Sequence, residues 1–229
     1  MQIPMALSFI DGKYILQAEK LLQAAIDTLL MVCASLPLTI AMGLPIGLVL
    51  YMSRCSLLQM HPAALLLIRV TVDLLRSVPF ILLMIALIPV TLFLVGTSLG
   101  VRGAILPLVI GAAPFYARLV EASLRDVDYG VVEASVAMGA TPWQLIWNVL
   151  LPESRTGLIS AATVTAITLV GFTAMGGAIG SGGLGDIAYR EGYLRSNWDF
   201  ALVTVGVLLV IVFVIQWIGD RLVAHYTRR

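Results

Sequence analysis

With 229 residues, 60% of them hydrophobic and only 12% charged, and a mean hydropathy of +1.00, the chain has too few polar groups to cover a water-soluble globule. It reads as an all-α integral membrane protein in a single domain, residues 1–229. Its 14 Lys+Arg against 13 Asp+Glu lack the basic excess of a nucleic-acid binder, so the charges matter by where they sit.

The N-terminus, MQIPMALSFIDGKY, has neither a basic leader nor a long apolar core, so a cleaved signal peptide is not expected. Residues 13–27 mix Lys13, Glu19, Lys20 and Asp27 with Ile15, Leu16, Leu21 and Leu22, the pattern of an interfacial helix. A first span follows over 28–53, uncharged and longer than the ~20 residues that cross the hydrocarbon. Pro37 and Pro45 are expected to kink it, and Gly43 and Gly47 offer a face for close helix packing. Cys33 and Cys55 fit a buried residue and a free thiol better than a disulfide or metal pair.

A second helix begins near Pro62. Its Arg69, Asp73 and Arg76 share one face, where Asp73 can pair with both arginines at a solvated helix end. Residues 77–95, containing Pro79 and Pro89, form the second predicted span, and 103–124 the third. Arg118 and Glu121 lie in its last turns, within reach of each other and of Arg125. Their grouping at one end favours pairing and snorkelling over a proton relay. After a polar-flanked segment over 126–155 come a fourth span (157–178), a glycine-rich bend, a polar loop from Asp186 to Asp199, a fifth span (200–219) and a basic tail. With the tail inside, the inner segments carry Arg54, Arg69, Arg76, Arg118, Arg125, Arg155, Arg221, Arg228 and Arg229, against Lys13, Lys20, Arg102, Arg190 and Arg195 outside. That bias predicts an external N-terminus, a cytoplasmic C-terminus and a cytoplasmic 126–155 segment.

This segment reads as two short helices and a hinge. Gly139 ends the first, and Thr141-Pro142-Trp143-Gln144 opens the second with a capping box, which Pro152 helps to stop. Val131, Ser135 and Met138 share a stripe with Ala134 beside it, while Glu133 points elsewhere. Small residues there permit close approach of a partner, and Trp143 and Trp147 could anchor it. Packing of a re-entrant helix on its own bundle explains the same pattern equally well.

The run Glu133-Ala134-Ser135, three residues, Gly139, nine residues, Val149, one residue, Leu151-Pro152 resembles the EAA loop of ABC importer permeases. That family's pattern is EAA, three residues, G, nine residues, I, one residue, LP. Ser135 and Val149 depart from it with residues of similar size. RSVPFILL (Arg76 to Leu83), GAAPFYARLVEASL (Gly111 to Leu124) and LVGFTAMGGAIGSGGLGDIAYREGY (Leu169 to Tyr193) resemble the permease subunits of methionine ABC importers. The likeness runs from about residue 22 to the end.

The resemblance implies a type I importer permease of five transmembrane helices in a bacterial cytoplasmic (inner) membrane. Its expected partners are a second copy of the chain, two ABC ATPase subunits, an extracytoplasmic methionine-binding protein, often a lipoprotein, and membrane lipid. It implies that Glu133, Ala134, Ser135, Gly139, Ala140, Thr141, Leu151 and Pro152 couple the permease to the ATPase. In the fourth span Phe172, Thr173 and Met175 are expected on the translocation pathway, with Met175 as a flexible gate; plain helix packing is the competing account.

Gly180-Ser181-Gly182-Gly183-Leu184-Gly185 fits GxGxxG, but a membrane span precedes it instead of a strand, so a bend that seats the binding protein is the better reading. No GxxxxGK[ST] occurs, so the chain is not expected to be an enzyme or to hydrolyse ATP by itself. Neither a cofactor nor a metal is expected, His61 and His225 being the sole histidines. Rival readings are a permease for another amino acid or lipophilic substrate, an ion-coupled secondary transporter, which should show mid-membrane ionisable groups and repeats, and a structural scaffold.

Overall fold

The computed structural model describes residues 5–55 and 61–227, with side chains described from Gln17 onward. Arg228, Arg229 and the Lys13 side chain, counted in the charge bias, lie outside the described residues. Helices α1 (Met5–Arg54), α2 (Pro62–Ser77), α3 (Phe80–Ala86), α4 (Ile88–Val95) and α5 (Gly100–Arg125) are followed by the short α6 (Tyr129–Ala137), α7 (Pro142–Leu145) and α8 (Leu151–Glu153). Then come α9 (Arg155–Gly177), α10 (Gly183–Ile187) and α11 (Trp198–Thr227), with π-helical turns over Ile146–Leu150 and Ala188–Tyr193. No strand occurs among the described residues.

Four helices are long and apolar enough to cross a bilayer: Gln17–Arg54 within α1, then α5, α9 and α11. The expected single span over 77–95 is instead two short helices preceded by α2. Val78, held extended (ψ 128°) by the following Pro79, breaks the chain between α2 and α3. Leu87 (ψ −4°) breaks it again just before Pro89, whose missing N–H cannot bond back to Ile85. Gly96, at φ +81°, caps α4 in the left-handed conformation that glycine adopts freely. The interfacial helix expected over 13–27 is not separate either: α1 continues unbroken through it, and through Pro37 and Pro45. Its 50 residues make a rod of about 75 Å, well beyond the ~30 Å hydrocarbon.

α5 is the most buried helix and packs chiefly against α1 and α9. The α1–α5 contact depends on absent side chains. A Cβ at Gly43 would stand 2.8 Å from the Ala113 carbonyl oxygen, and one at Gly47 would stand 2.6 Å from that of Ala117. The expected glycine face is therefore a seam between two helix backbones, where dispersion replaces the hydrophobic drive that lipid cannot supply. α11 packs on α9, Gly219 lying against Thr163, and leaves much of its apolar surface exposed, as a lipid-facing helix does.

The glycine-rich bend holds Gly180, Gly182 and Gly183 at positive φ. It follows helix α9, as the reading against a dinucleotide site requires. The Leu184 amide donates to the Thr28 hydroxyl (2.9 Å), fastening the bend to α1. Lys20–Glu191 (3.1 Å) ties α1 to the loop beyond, where Arg190 and Arg195 also pair with Asp186 and Glu191.

Candidate functional site

The α6–α7 element is built as its local sequence dictates. Asp128 caps α6 by accepting from the Gly130 amide (2.8 Å). Gly139 then takes φ +84°, its amide bonding to the Val136 carbonyl. A side chain at Gly139 would meet nothing within 4 Å, so it is the backbone angle, not space, that calls for glycine. The capping box is present in full: the Gln144 amide donates to the Thr141 hydroxyl (3.3 Å), and the Thr141 amide donates to Gln144 Oε1 (2.9 Å).

Pro152 does not stop the second helix. The chain widens into the π-helical turn, where the Leu151 amide reaches back five residues to Ile146, and α-helical bonding resumes when the Ser154 amide meets Leu150. The register shift absorbs the donor that Pro152 lacks, and the helix runs on to Glu153.

The element is amphipathic in a way that ties it to the bundle. Val132, Leu145 and Leu150 are buried in a cluster with Tyr51, Met52, Tyr116, Val120 and Leu124 from the ends of α1 and α5. Ser135 turns inward beside them, its hydroxyl donating to the Val131 carbonyl (2.8 Å), so the expected stripe divides. Val131, Glu133, Ala134 and Met138 face out, as do Thr141 and Pro152; Met138 is 82% exposed. Ala140 and Leu151 are half-buried. Trp143 and Trp147 stand exposed, stacked edge to face with centroids 5.5 Å apart. Between the two short helices Ser135, Met138, Gly139, Ala140, Gln144, Asn148 and Val149 line a groove of about 400 Å³.

Just above this cluster a charge network joins three helices. Glu121 is 2% exposed and accepts from Arg118 (2.8 Å), with Arg125 ion-paired to it at 3.1 Å and Arg54 of α1 at 3.9 Å. The pairing of Arg118, Glu121 and Arg125 follows the sequence reading. That of Asp73 does not: it pairs with Arg118 of α5 at 2.6 Å, not with Arg69 or Arg76 on its own helix. A contact between α2 and α5 positions Asp73 more closely than helical spacing does.

The three expected pathway residues of α9 separate. Phe172 stacks face to face on Phe80 of α3, centroids 4.1 Å apart. Thr173 is buried and donates to the Val170 carbonyl (2.7 Å) of its own helix. Met175 is 50% exposed on an open face it shares with Val164, Gly171 and Ala178. Sequence reading quoted Arg76 to Leu83 for its resemblance but did not bring Phe80 against Phe172. The one local signal there was an arginine set two residues ahead of the Val78-Pro79 break.

The long apolar helices and the capped, outward-facing α6–α7 element are those of a membrane-embedded transport component. Residues 43–229 match the family model for the binding-protein-dependent transport system inner membrane component, and the chain belongs to that family. Among individual proteins it is 43% identical over 225 residues to the probable D-methionine transport system permease protein MetI of Vibrio cholerae (98% of this chain, 100% of that protein). It is 44% identical over 203 residues to the D-methionine transport system permease protein MetI of Escherichia coli K12 (89% and 94%). With the methionine import system permease protein MetP of Bacillus subtilis it shares 52% identity over 171 residues (75% and 77%). The solved inward-facing MetNI methionine ABC transporter superposes with a TM-score of 0.86 at 44% identity, covering 91% of this chain and 97% of that one. An amino acid ABC transporter crystallised with histidines shares the fold at 20% identity and a TM-score of 0.70.

Proposed function

We propose that the chain is the membrane-spanning subunit of an ATP-driven importer that carries methionine and close derivatives into the cytoplasm. The observation that carries this is the capped, outward-facing α6–α7 element keyed into the ends of α1 and α5 by Val132, Leu145 and Leu150. A partner seated on Val131, Ala134, Met138 and the tryptophan pair can move those helix ends, because a close-packed core passes on displacement instead of absorbing it. Relatives named for methionine transport, 43–52% identical, favour methionine as the cargo.

On this reading two copies of the chain form the pore and two separate ABC ATPase subunits hydrolyse ATP, so the chain itself is no enzyme and holds no cofactor. An extracytoplasmic binding protein delivers the substrate. Glu133, Ala134, Ser135, Gly139, Ala140, Thr141, Leu151 and Pro152 make up the coupling site. The ATP-bound partner must bind the outward-facing arrangement more tightly than the inward-facing one, since only differential affinity shifts such an equilibrium. The sequence α2–α3–α4 supplies a fifth crossing as a broken helix, with the N-terminus outside and the C-terminus in the cytoplasm. Phe172, Thr173 and Met175 belong to the pathway, Met175 from the open face of α9.

The test is reconstitution with the cognate ATPase and binding protein, measuring uptake of labelled methionine against other amino acids. Methionine uptake should be abolished by Gly139→Arg or Ala134→Glu, with loss of ATPase co-purification. Persistence of both assembly and uptake sinks the coupling assignment. Uptake of another amino acid in place of methionine overturns the substrate and favours a related permease of the same architecture.

A further inference from the structure

We propose that the cavity between α2, α3, α5 and α9 is a substrate subsite within the permease itself, where Arg76 holds the carboxylate of a free amino acid and three phenylalanines receive its side chain. This rests on the importer reading above and deepens it.

The cavity measures about 280 Å³ and is lined by Leu75, Arg76, Val78, Phe80, Leu83, Gly111, Phe115 and Phe172. That size suits one small amino acid, being just below the roughly 300–1,000 Å³ typical of drug-sized ligand sites. Gly111 lets the Phe80 ring pack close against α5, since a Cβ there would sit 3.0 Å from that ring. The Phe80–Phe172 stack forms a flat apolar wall.

Arg76 supplies the charge on this wall, from the exposed last turn of α2. Every carboxylate near it is engaged elsewhere: Asp73 holds Arg118 at 2.6 Å, and Glu121 holds Arg118 and Arg125. Among the described residues Arg76 joins no ion pair. Arg54, Arg118 and Arg125 gather on Glu121, and Arg69 and Arg76 flank Asp73 in the sequence, so basic groups outnumber acidic ones on this side of the cavity. A guanidinium without an internal partner beside an apolar cavity can receive the anionic group of a substrate.

A guanidinium suits a carboxylate because its fork donates two parallel hydrogen bonds. The zwitterion's ammonium needs an acceptor as well, a role we give to the Leu75 carbonyl. Position 79 is proline, so the carbonyl of Leu75, four residues earlier on the cavity wall, lacks its helical donor. Aromatic faces favour a thioether over an ordinary alkyl chain through sulfur–ring contacts, and they tolerate the ammonium as well. The helix break at Val78, on the cavity wall, is where irregular backbone is tolerated in a bilayer, lining a binding site.

The test measures equilibrium binding of labelled methionine to the purified permease–ATPase complex in nanodiscs, without the binding protein. Saturable binding is expected, displaced by methionine but not by methioninol, which lacks the carboxylate. R76Q should weaken it about tenfold or more, the scale of one lost charged hydrogen bond. R76K should fall between R76Q and the wild type, and F172A should weaken methionine binding while leaving the carboxylate requirement intact. Co-purification of the ATPase with each variant shows that it has assembled.

Wild-type affinity in an assembled R76Q complex, or equal displacement by methioninol, overturns the subsite. So does a wild-type complex that imports methionine but shows no saturable binding, while the import reading stands. If uptake proves to be of another amino acid, the methionine reading fails, and the same R76Q comparison with that amino acid decides the role of Arg76.

Discussion

Replacing Gly47 with alanine is expected to loosen the α1–α5 seam measurably. The new Cβ would lie 2.6 Å from the Ala117 carbonyl oxygen and 2.7 Å from Val120 Cβ, whereas ordinary contact begins at 3.4 Å. Both contacts are to backbone or branched atoms close to the helix axis, so no flexible side chain can swing away. The helices must separate by about 0.7 Å locally, and a gap of that size forfeits a quarter to a half of each dispersion contact across it. In a membrane no hydrophobic term offsets the loss. Overpacking of this kind costs about 1–3 kcal/mol, which for a chain of this length corresponds to a fall of several degrees in thermal midpoint. The assay is thermal unfolding of the purified complex in detergent. Gly206→Ala on α11 is the control, because a Cβ there meets nothing within 4 Å. If Gly47→Ala and Gly206→Ala share the wild-type midpoint, the account of the seam is wrong.

Two further outcomes follow from the geometry. Glu121→Ala removes the carboxylate that three arginines share and should destabilise the complex by roughly 2–3 kcal/mol. That is less than the 3–5 kcal/mol of a fully buried pair, because the arginines reach water; its thermal midpoint measures the effect. Gly171→Leu adds a side chain to the open face of α9, where a Cβ meets nothing within 4 Å, so methionine uptake in proteoliposomes should fall severalfold with assembly retained.

The EAA-like element was legible down to its hydrogen bonds, because a capping box and a left-handed glycine are fixed within four or five residues. Thr141, Gln144 and Gly139 carry their own instructions. The helix breaks were half legible. Pro79 and Pro89 were visible inside the expected span, but length and hydropathy argued for continuity, and the local angles at Val78 and Leu87 decided otherwise. Pro152 misled in the opposite direction, since a π-helical turn can absorb a missing donor where an α-helix cannot.

What sequence alone determined is whatever depends on short range or on bulk composition: an all-helical membrane chain, the capped α6–α7 element, the Glu121 pairs at helical spacing, and the small-residue face at Gly43 and Gly47. Tertiary structure alone decided the partners that lie far apart in the chain. Asp73 had two arginines within a turn of its own helix, yet its partner is 45 residues away on α5. Phe172 reads as one apolar residue of a span until α3 brings Phe80 against it. The physical reason is the same in both cases: local spacing limits which contacts are possible, whereas the choice among them falls to helix packing, which backbone seams such as that at Gly47 determine.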